Sequence, residues 1–123
     1  MYVSEMVYNS SMFIEEFKKT LHGSEPSNQE IMLLFKAFFG VTPHVCSIIW
    51  KLINTKAHFP LTKKHLLWAL HFLRQYGTYN HMKVIFGASR VTISKHLWKT
   101  IDLLAEMRVV SFHLYVIFDK YLI

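Results

Sequence analysis

The chain has 123 residues, of which 52% are hydrophobic and 15% aromatic, so it is long enough for one packed domain and too apolar for a disordered tail. Its net charge of +6 keeps polyanionic partners open. Its single cysteine, Cys46, excludes an internal disulfide and a multi-cysteine zinc site.

The first predicted element is an acidic N-terminal helix. Residues 2–21 place Phe13 and Phe17 at helical spacing, and Gly23 is a suitable stop. Up to residue 30 the acids outnumber the lysines. We therefore expect residues 1–24 to form an acidic helical arm, and its separation from the rest of the chain is left open.

Capping signals indicate three further helices in the middle of the chain. Ser27 and Glu30 have the spacing of a capping box before an apolar run. Thr42 precedes Pro43, a proline suited to the first helical position, and Thr62 opens the next run. The predicted stops are Gly40 and Gly77, and the predicted inward residues are Ile31, Leu34, Phe35, Phe38, Val45, Ile49, Trp50, Ile53, Leu66, Leu67, Leu70 and Leu73.

Two more helices follow, and together they set the fold class. Thr78 is predicted to cap a short helix that ends at Gly87, and a longer helix starts near Ser89 and runs to about Met107. Its predicted inward residues are Ile93, Leu97, Ile101 and Leu104. Helix and strand cannot be distinguished in the apolar tail, residues 109–123. We predict an all-α fold, a compact multi-helix domain of about five to seven helices.

The distribution of charge is more informative than its total. Residues 31–101, which we call the acid-free stretch, contain no Asp or Glu, and their charged residues are Lys36, Lys51, Lys56, Lys63, Lys64, Arg74, Lys83, Arg90, Lys95 and Lys99. A solvated surface usually mixes both signs. Neutralisation of nucleic-acid phosphates is the commonest reason for such a stretch, and the alternative is a cationic surface that meets an acidic protein.

A motif inside this stretch indicates a helix-turn-helix at about residues 79–104. Gly87 can adopt the positive φ of a sharp turn, and Ala88 is small enough to lie beneath it. Ser89 caps the second helix and leaves its amides directed outward, where a phosphate can bind. The string Gly-Ala-Ser-Arg-Val-Thr-Ile-Ser-Lys-His-Leu resembles the helix-turn-helix of many DNA-binding proteins. We therefore predict a DNA-binding domain over residues 25–108.

The candidate DNA-contacting residues lie on the outer face of the second helix and on its basic neighbours. They are Ser89, Arg90, Val91, Thr92, Ser94, Lys95, Lys99, Lys83, Lys63 and Lys64. Arg90 and Lys95 are expected to read base edges, guanine being the commonest partner of either. Ser89, Thr92 and Lys99 are expected to hold phosphates, and the three remaining lysines to extend this track. Trp98 is left open between stacking on bases and packing in the core.

One position departs from the motif. The residue four before the turn glycine is usually Ala or Gly, because the two helices approach closely there, and here it is Lys83. Either the helices open slightly or the Lys83 side chain extends outward.

A larger resemblance covers residues 31–107. It is carried by Phe-Phe-Gly-Val-Thr-Pro at 38–43, Ile-Trp-Lys-Leu at 49–52, His-Leu-Leu-Trp-Ala-Leu-His-Phe-Leu at 65–73, and the turn motif with Trp98. This region resembles the helical segment that precedes the catalytic domain of Harbinger-type DDE transposases. The resemblance implies binding of transposon DNA, in the nucleus if the source is eukaryotic and otherwise at the nucleoid.

The same resemblance implies a catalytic domain with an acidic triad, which this chain lacks. After Glu106 the sequence contains one acid, Asp119. Three well-separated carboxylates for two-metal chemistry cannot be assembled from it. We therefore expect that this chain is not an active enzyme by itself, and that it is a transposon-derived fragment, a truncated product or a domesticated DNA-binding module.

No motif indicates a cofactor, a metal or a small-molecule substrate. His65 and His71 are too far apart to share a helix face well, and His44 with Cys46 has no second close pair. Cys46 is expected to be a buried structural thiol, and no apolar run reaches the roughly 18 residues that span a bilayer. Double-stranded DNA is the expected partner, and residues 109–123 are the expected interface if the chain dimerises. The alternative function is a helical adaptor whose basic face binds an acidic partner.

Overall fold

The computed structural model describes residues 3–21, 26–75 and 78–106, which form six helices and no strand. The helices are α1 (Val3–Lys18), α2 (Asn28–Phe39), α3 (Pro43–Asn54), α4 (Lys63–Gln75), α5 (Tyr79–Phe86) and α6 (Arg90–Glu106). The prediction of an all-α domain with five to seven helices is confirmed. Gly23, Gly77, Met107 and residues 109–123 lie outside the described residues.

The predicted capping residues begin and end the helices. The hydroxyl of each N-cap accepts a hydrogen bond from the backbone N–H three residues later, at 3.2 Å for Ser27, Thr42 and Thr62 and 3.1 Å for Thr78. Gly40 ends α2 with φ of 82°, and a Cβ there would lie 3.3 Å from Cδ of Arg74. The positive φ therefore favours glycine at residue 40, and a Cβ there would also require a small shift of the Arg74 side chain.

Helix α4 lies at the centre of the described fold. It packs against α1, α2, α5 and α6, and its residues from Leu66 to His71 are all buried. Apart from His71 this segment is apolar, as expected of a helix that is buried on all sides. Because α5 and α6 both rest on α4, their position depends on its packing.

Helix α1 belongs to the same core as the other helices. Phe13 and Phe17 are fully buried, and the ring centroid of Phe17 lies 5.5 Å from that of Phe35 on α2. On the surface, Nζ of Lys51 on α3 lies 3.1 Å from Oε1 of Glu5. The expected boundary at residue 24 therefore does not separate two cores.

Two predicted inward residues are exposed instead. Leu34 is 43% exposed because α2 buries the stripe Ile31, Phe35 and Phe39, and Leu34 lies beyond its edge. Leu73 is 39% exposed, and Arg74 and Gln75, which follow it at the end of α4, are exposed as well. Among the predicted core aromatics, Trp68 is buried, whereas Phe38 and Trp50 are half-buried.

No single helix in the described ranges is long and apolar enough to cross a membrane. Helices α2 and α3, taken together across a bend of 49°, meet that criterion by length and composition alone.

Candidate nucleic-acid interface

The turn between α5 and α6 has the backbone that the sequence predicts. We call α5, the turn residues 87–89 and α6 the α5–α6 unit. Gly87 has φ of 67°, and its N–H donates to the Lys83 carbonyl at 2.9 Å. A Cβ at Gly87 would meet nothing within 4 Å, so conformation alone favours glycine there. Ile93 and Leu97 are fully buried, as predicted, and they anchor α6 to the core.

Ser89 caps α6, which confirms its predicted structural role. Its Oγ accepts a hydrogen bond from the Thr92 N–H at 3.3 Å and donates to the Thr92 Oγ1 at 3.0 Å. Both residues are exposed. The two hydroxyls predicted to hold phosphates therefore lie together at the beginning of α6, where the helix dipole favours an anion.

The outer face of α6 is accessible along its first three turns. Arg90, Val91, Lys95 and Lys99 are exposed, and Ser94 is half-buried. Val91 is 77% exposed, so it adds an apolar side chain to this basic face. This face therefore offers cationic and apolar groups to a ligand from one rigid helix.

One flank of α6 lies against Tyr79 at the beginning of α5. We call Tyr79, Arg90, Ser94 and Trp98 the Tyr79 cluster. The guanidinium carbon of Arg90 lies 5.2 Å from the centroid of the Tyr79 ring, and Nε1 of Trp98 donates to the Tyr79 Oη at 2.7 Å. A hydrogen bond with Ser94, then the bond from Trp98, and then the charge of Arg90 lower the pKa of Tyr79. The cluster thus holds one cation and one indole in fixed directions.

The opposite flank of α6 carries a dense group of basic side chains. We call Lys64, His65, Lys95, His96 and Lys99 the lysine–histidine cluster. The rings of His65 and His96 stack with centroids 3.8 Å apart. Burial, then His96, then Lys64 lower the pKa of His65 to about 4. Burial and the charges of Lys95, Lys99 and Lys64 lower the pKa of His96. Three lysines from two helices therefore act on one imidazole.

The three lysines predicted to extend the phosphate track lie in different places. Lys64 is exposed and precedes His65, whose ring stacks on that of His96, so it lies in the lysine–histidine cluster. Lys63 instead has its Nζ 4.8 Å from the centroid of the Trp50 ring, on the side of α3. Lys83 is exposed on α5, which matches the outward alternative for this departure from the motif. The structure therefore joins Lys64, but not Lys63, to the outer part of α6.

The histidines pair across helices, which their sequence spacing does not indicate. Nδ1–H of His71 donates to the Phe38 carbonyl at 2.9 Å, and its Nε2 lies 3.2 Å from Nε2 of His81. In residues 3–21, 26–75 and 78–106, no group of three or more His, Cys, Asp or Glu could hold a metal ion. Cys46 is buried, and burial raises the pKa of its thiol well above the ordinary value.

Sequence reasoning missed two aromatic contacts of α6. The sequence indicates Tyr79 only as the first residue of a short helix, and it indicates no role for Phe59. The Nζ of Lys99 lies 5.8 Å from the centroid of the Phe59 ring. Neither contact has a periodic signal, because each joins α6 to a residue outside that helix. Only the presence of aromatic residues in a basic stretch hints at such contacts.

Comparison with known proteins gives no relative. No family model matches the chain, and neither a curated protein nor a solved structure matches it.

Proposed function

We propose that the chain binds double-stranded DNA sequence-specifically through the α5–α6 unit acting as a helix-turn-helix. In this proposal α6 enters the major groove, where Arg90 and Lys95 read base edges. Lys99, together with the hydroxyls of Ser89 and Thr92, binds phosphates beside the groove. The transposase resemblance of residues 31–107 adds that this binding unit derives from the DNA-binding segment of such an enzyme.

The observation that carries the proposal is the convergence of cations beside α6. Lys95 and Lys99 are exposed on α6, and the stacking of His65 on His96, with ring centroids 3.8 Å apart, brings the exposed Lys64 at the beginning of α4 to the same side. The acid-free stretch contains no carboxylate that could neutralise them from within the same segment. A protein surface maintains such a potential at a cost in self-repulsion, and a phosphate backbone relieves it.

The exposed face of α6 supports specific as well as electrostatic binding. Val91 is 77% exposed next to the cationic side chains, and an apolar side chain in the major groove can contact the methyl group of thymine. The helix is held by the buried Ile93 and Leu97, so its outer face moves as a rigid body. Base readout needs such rigidity, because hydrogen bonds to base edges tolerate little displacement.

The test is a titration of the protein into random duplex DNA at several salt concentrations, with fluorescence anisotropy of the DNA as the readout. The bound fraction is sequenced. We expect salt-dependent binding with an enriched motif, and the slope of log K against log salt gives the number of phosphates neutralised, about 0.9 for each. Binding without enrichment would contradict sequence specificity. An absence of binding at low salt would contradict the DNA proposal itself.

A second candidate is a helical adaptor for an acidic protein. The ion pair between Glu5 of α1 and Lys51 of α3, at 3.1 Å, favours it because an acidic helix of this chain already contacts the acid-free stretch. Salt dependence is common to both candidates. An acidic peptide that binds while duplex DNA does not would support the adaptor.

A further inference from the structure

Tyr79 on α5 makes two directed contacts with exposed side chains of α6. Its ring lies beneath the Arg90 guanidinium at 5.2 Å, and its hydroxyl accepts the Trp98 indole N–H at 2.7 Å. Yet α5 and α6 are already anchored by the fully buried Met82 and Ile93. Tyr79, which is partly buried against the core, therefore also contacts two exposed side chains of α6.

We propose that Tyr79 is a positioning residue that orients the Arg90 side chain towards the DNA base that Arg90 reads. The inference rests on the proposed function, and it adds a specificity determinant on α5 to the contacts of α6 itself. Tyr79 touches no base in this proposal and acts through Arg90.

The physical reason is the flexibility of arginine. A free arginine at a surface occupies many rotamers, and binding a base edge through two parallel hydrogen bonds selects very few of them. A ring beneath the guanidinium restricts the side chain before DNA arrives, because the cation is attracted to the ring face. Arg90 then loses less conformational entropy when it binds DNA. The affinity for the preferred base therefore rises more than the affinity for its competitors.

Trp98 fixes the ring of Tyr79 in turn. Trp98 is 44% exposed, but it is held from two sides, by the Tyr79 hydroxyl and by the edge of the Phe72 ring, whose centroid is 5.5 Å away. The order of support is thus Phe72 on α4, Trp98 on α6, Tyr79 on α5 and then Arg90. This chain of contacts links the direction of Arg90 to all three helices around it.

Two variants separate the ring from the hydroxyl. Tyr79→Phe keeps the ring under Arg90 and removes the acceptor of the Trp98 N–H. Tyr79→Leu removes both. The matched control is Tyr8→Leu, because Tyr8 is an exposed tyrosine on α1 whose ring centroid lies 5.9 Å from Nζ of Lys63. Circular dichroism and thermal unfolding of each variant establish that the fold is retained.

The first measurement needs no DNA. In the ¹H–¹⁵N spectrum of the free protein, we expect the Trp98 indole resonance to shift upfield in Tyr79→Phe, because its hydrogen bond is lost. The resonances of Trp50 and Trp68 should remain in place, and Trp98→Phe assigns the peak. An unshifted Trp98 resonance would overturn the inference without any bearing on DNA binding.

The second measurement is selection from a random duplex pool with the wild type and each variant. The base read by Arg90 is the position at which Arg90→Ala loses its preference. We expect Tyr79→Leu to reduce discrimination at that position roughly two- to fivefold, the range of an exposed cation–ring contact. Tyr79→Phe should retain most of it, and Tyr8→Leu should change no base preference.

The outcomes distinguish the inference from the function on which it depends. If the wild type enriches a motif and Tyr79→Leu enriches the same motif with equal discrimination, the inference is wrong and the proposed function stands. A uniform loss of affinity across all duplexes would also overturn it, since that is the effect of a merely structural role. If the wild type enriches no motif, sequence-specific binding is wrong and the inference falls with it.

Discussion

The two flanks of α6 hold their cations in different ways. On the side of α5, Arg90 lies over the Tyr79 ring, next to the hydrogen bond between Trp98 and the Tyr79 hydroxyl. On the side of α4, Lys64 and Lys99 both act on His96, which stacks on His65. The first flank fixes the direction of one charge, and the second concentrates several. Direction suits the reading of a base, whereas density suits the attraction of phosphates.

The largest expected effect is a loss of stability when the anchor of α6, which carries both flanks, is removed. Leu97 is fully buried and anchors the middle of α6. We expect Leu97→Ala to lower the free energy of unfolding by about 2–5 kcal/mol, because it removes buried apolar contacts and leaves a cavity. Urea denaturation measures this change. The control is Val91→Ala on the exposed face of the same helix, with an expected change within about 0.5 kcal/mol. Equal effects of the two would contradict the burial of Leu97.

The next largest expected effect is on DNA binding, and it concerns the flank that contains Arg90. We expect Arg90→Ala to weaken binding to the selected duplex by about 1–3 kcal/mol and to relax the preference at one base pair. The reason is the loss of two hydrogen bonds to a base edge. Anisotropy titrations with the selected duplex and with single-base variants of it measure both quantities. An unchanged preference would show that Arg90 does not read a base.

The sequence predicted the elements of this structure better than their contacts. The capping residues Ser27, Thr42 and Thr78 mark helix ends through hydrogen bonds to residues three positions away, so a short string contains the whole signal. Inward positions were less well predicted. Leu34 matches the apolar period but lies at the edge of the buried stripe, and the width of that stripe depends on how closely the neighbouring helices pack.

The candidate site shows the same limit. Burial of Ile93 and Leu97, and exposure of the predicted outer face, follow from the helical period. The stacking of His65 on His96 does not, because the two residues lie on different helices and their approach depends on the packing of α4 against α6. The contact of Arg90 with Tyr79 was missed for the same reason.

A smaller effect is expected on the side of the lysine–histidine cluster. Lys99→Ala should weaken binding to all duplexes about equally and reduce the slope of log K against log salt by about 1, since one phosphate contact is lost. Salt titrations with the selected duplex and with a scrambled duplex measure this. The control is Lys36→Ala, which removes a basic residue of α2. A changed base preference in Lys99→Ala would contradict the division between the two flanks.

The smallest expected effect is a pH dependence of stability that arises from the stacked histidines. Folding lowers the pKa of His65 to about 4, through burial, His96 and Lys64, and it also lowers the pKa of His96. The folded protein therefore binds fewer protons than the unfolded chain below the ordinary histidine pKa of about 6.5. The contribution of His65 and His96 to stability is fully present above about pH 6.5 and is lost as the pH falls towards 4.

Urea denaturation between pH 4 and 8 measures this contribution. We expect the double variant His65→Gln and His96→Gln to reduce the fall in stability below pH 6.5. Some of that fall should remain, since burial also lowers the pKa of His71. The control is His44→Gln, a change at an exposed histidine of α3, which should leave the profile as it is in the wild type. If the double variant lost stability with falling pH as steeply as the wild type, the stacked pair would not be the titrating group.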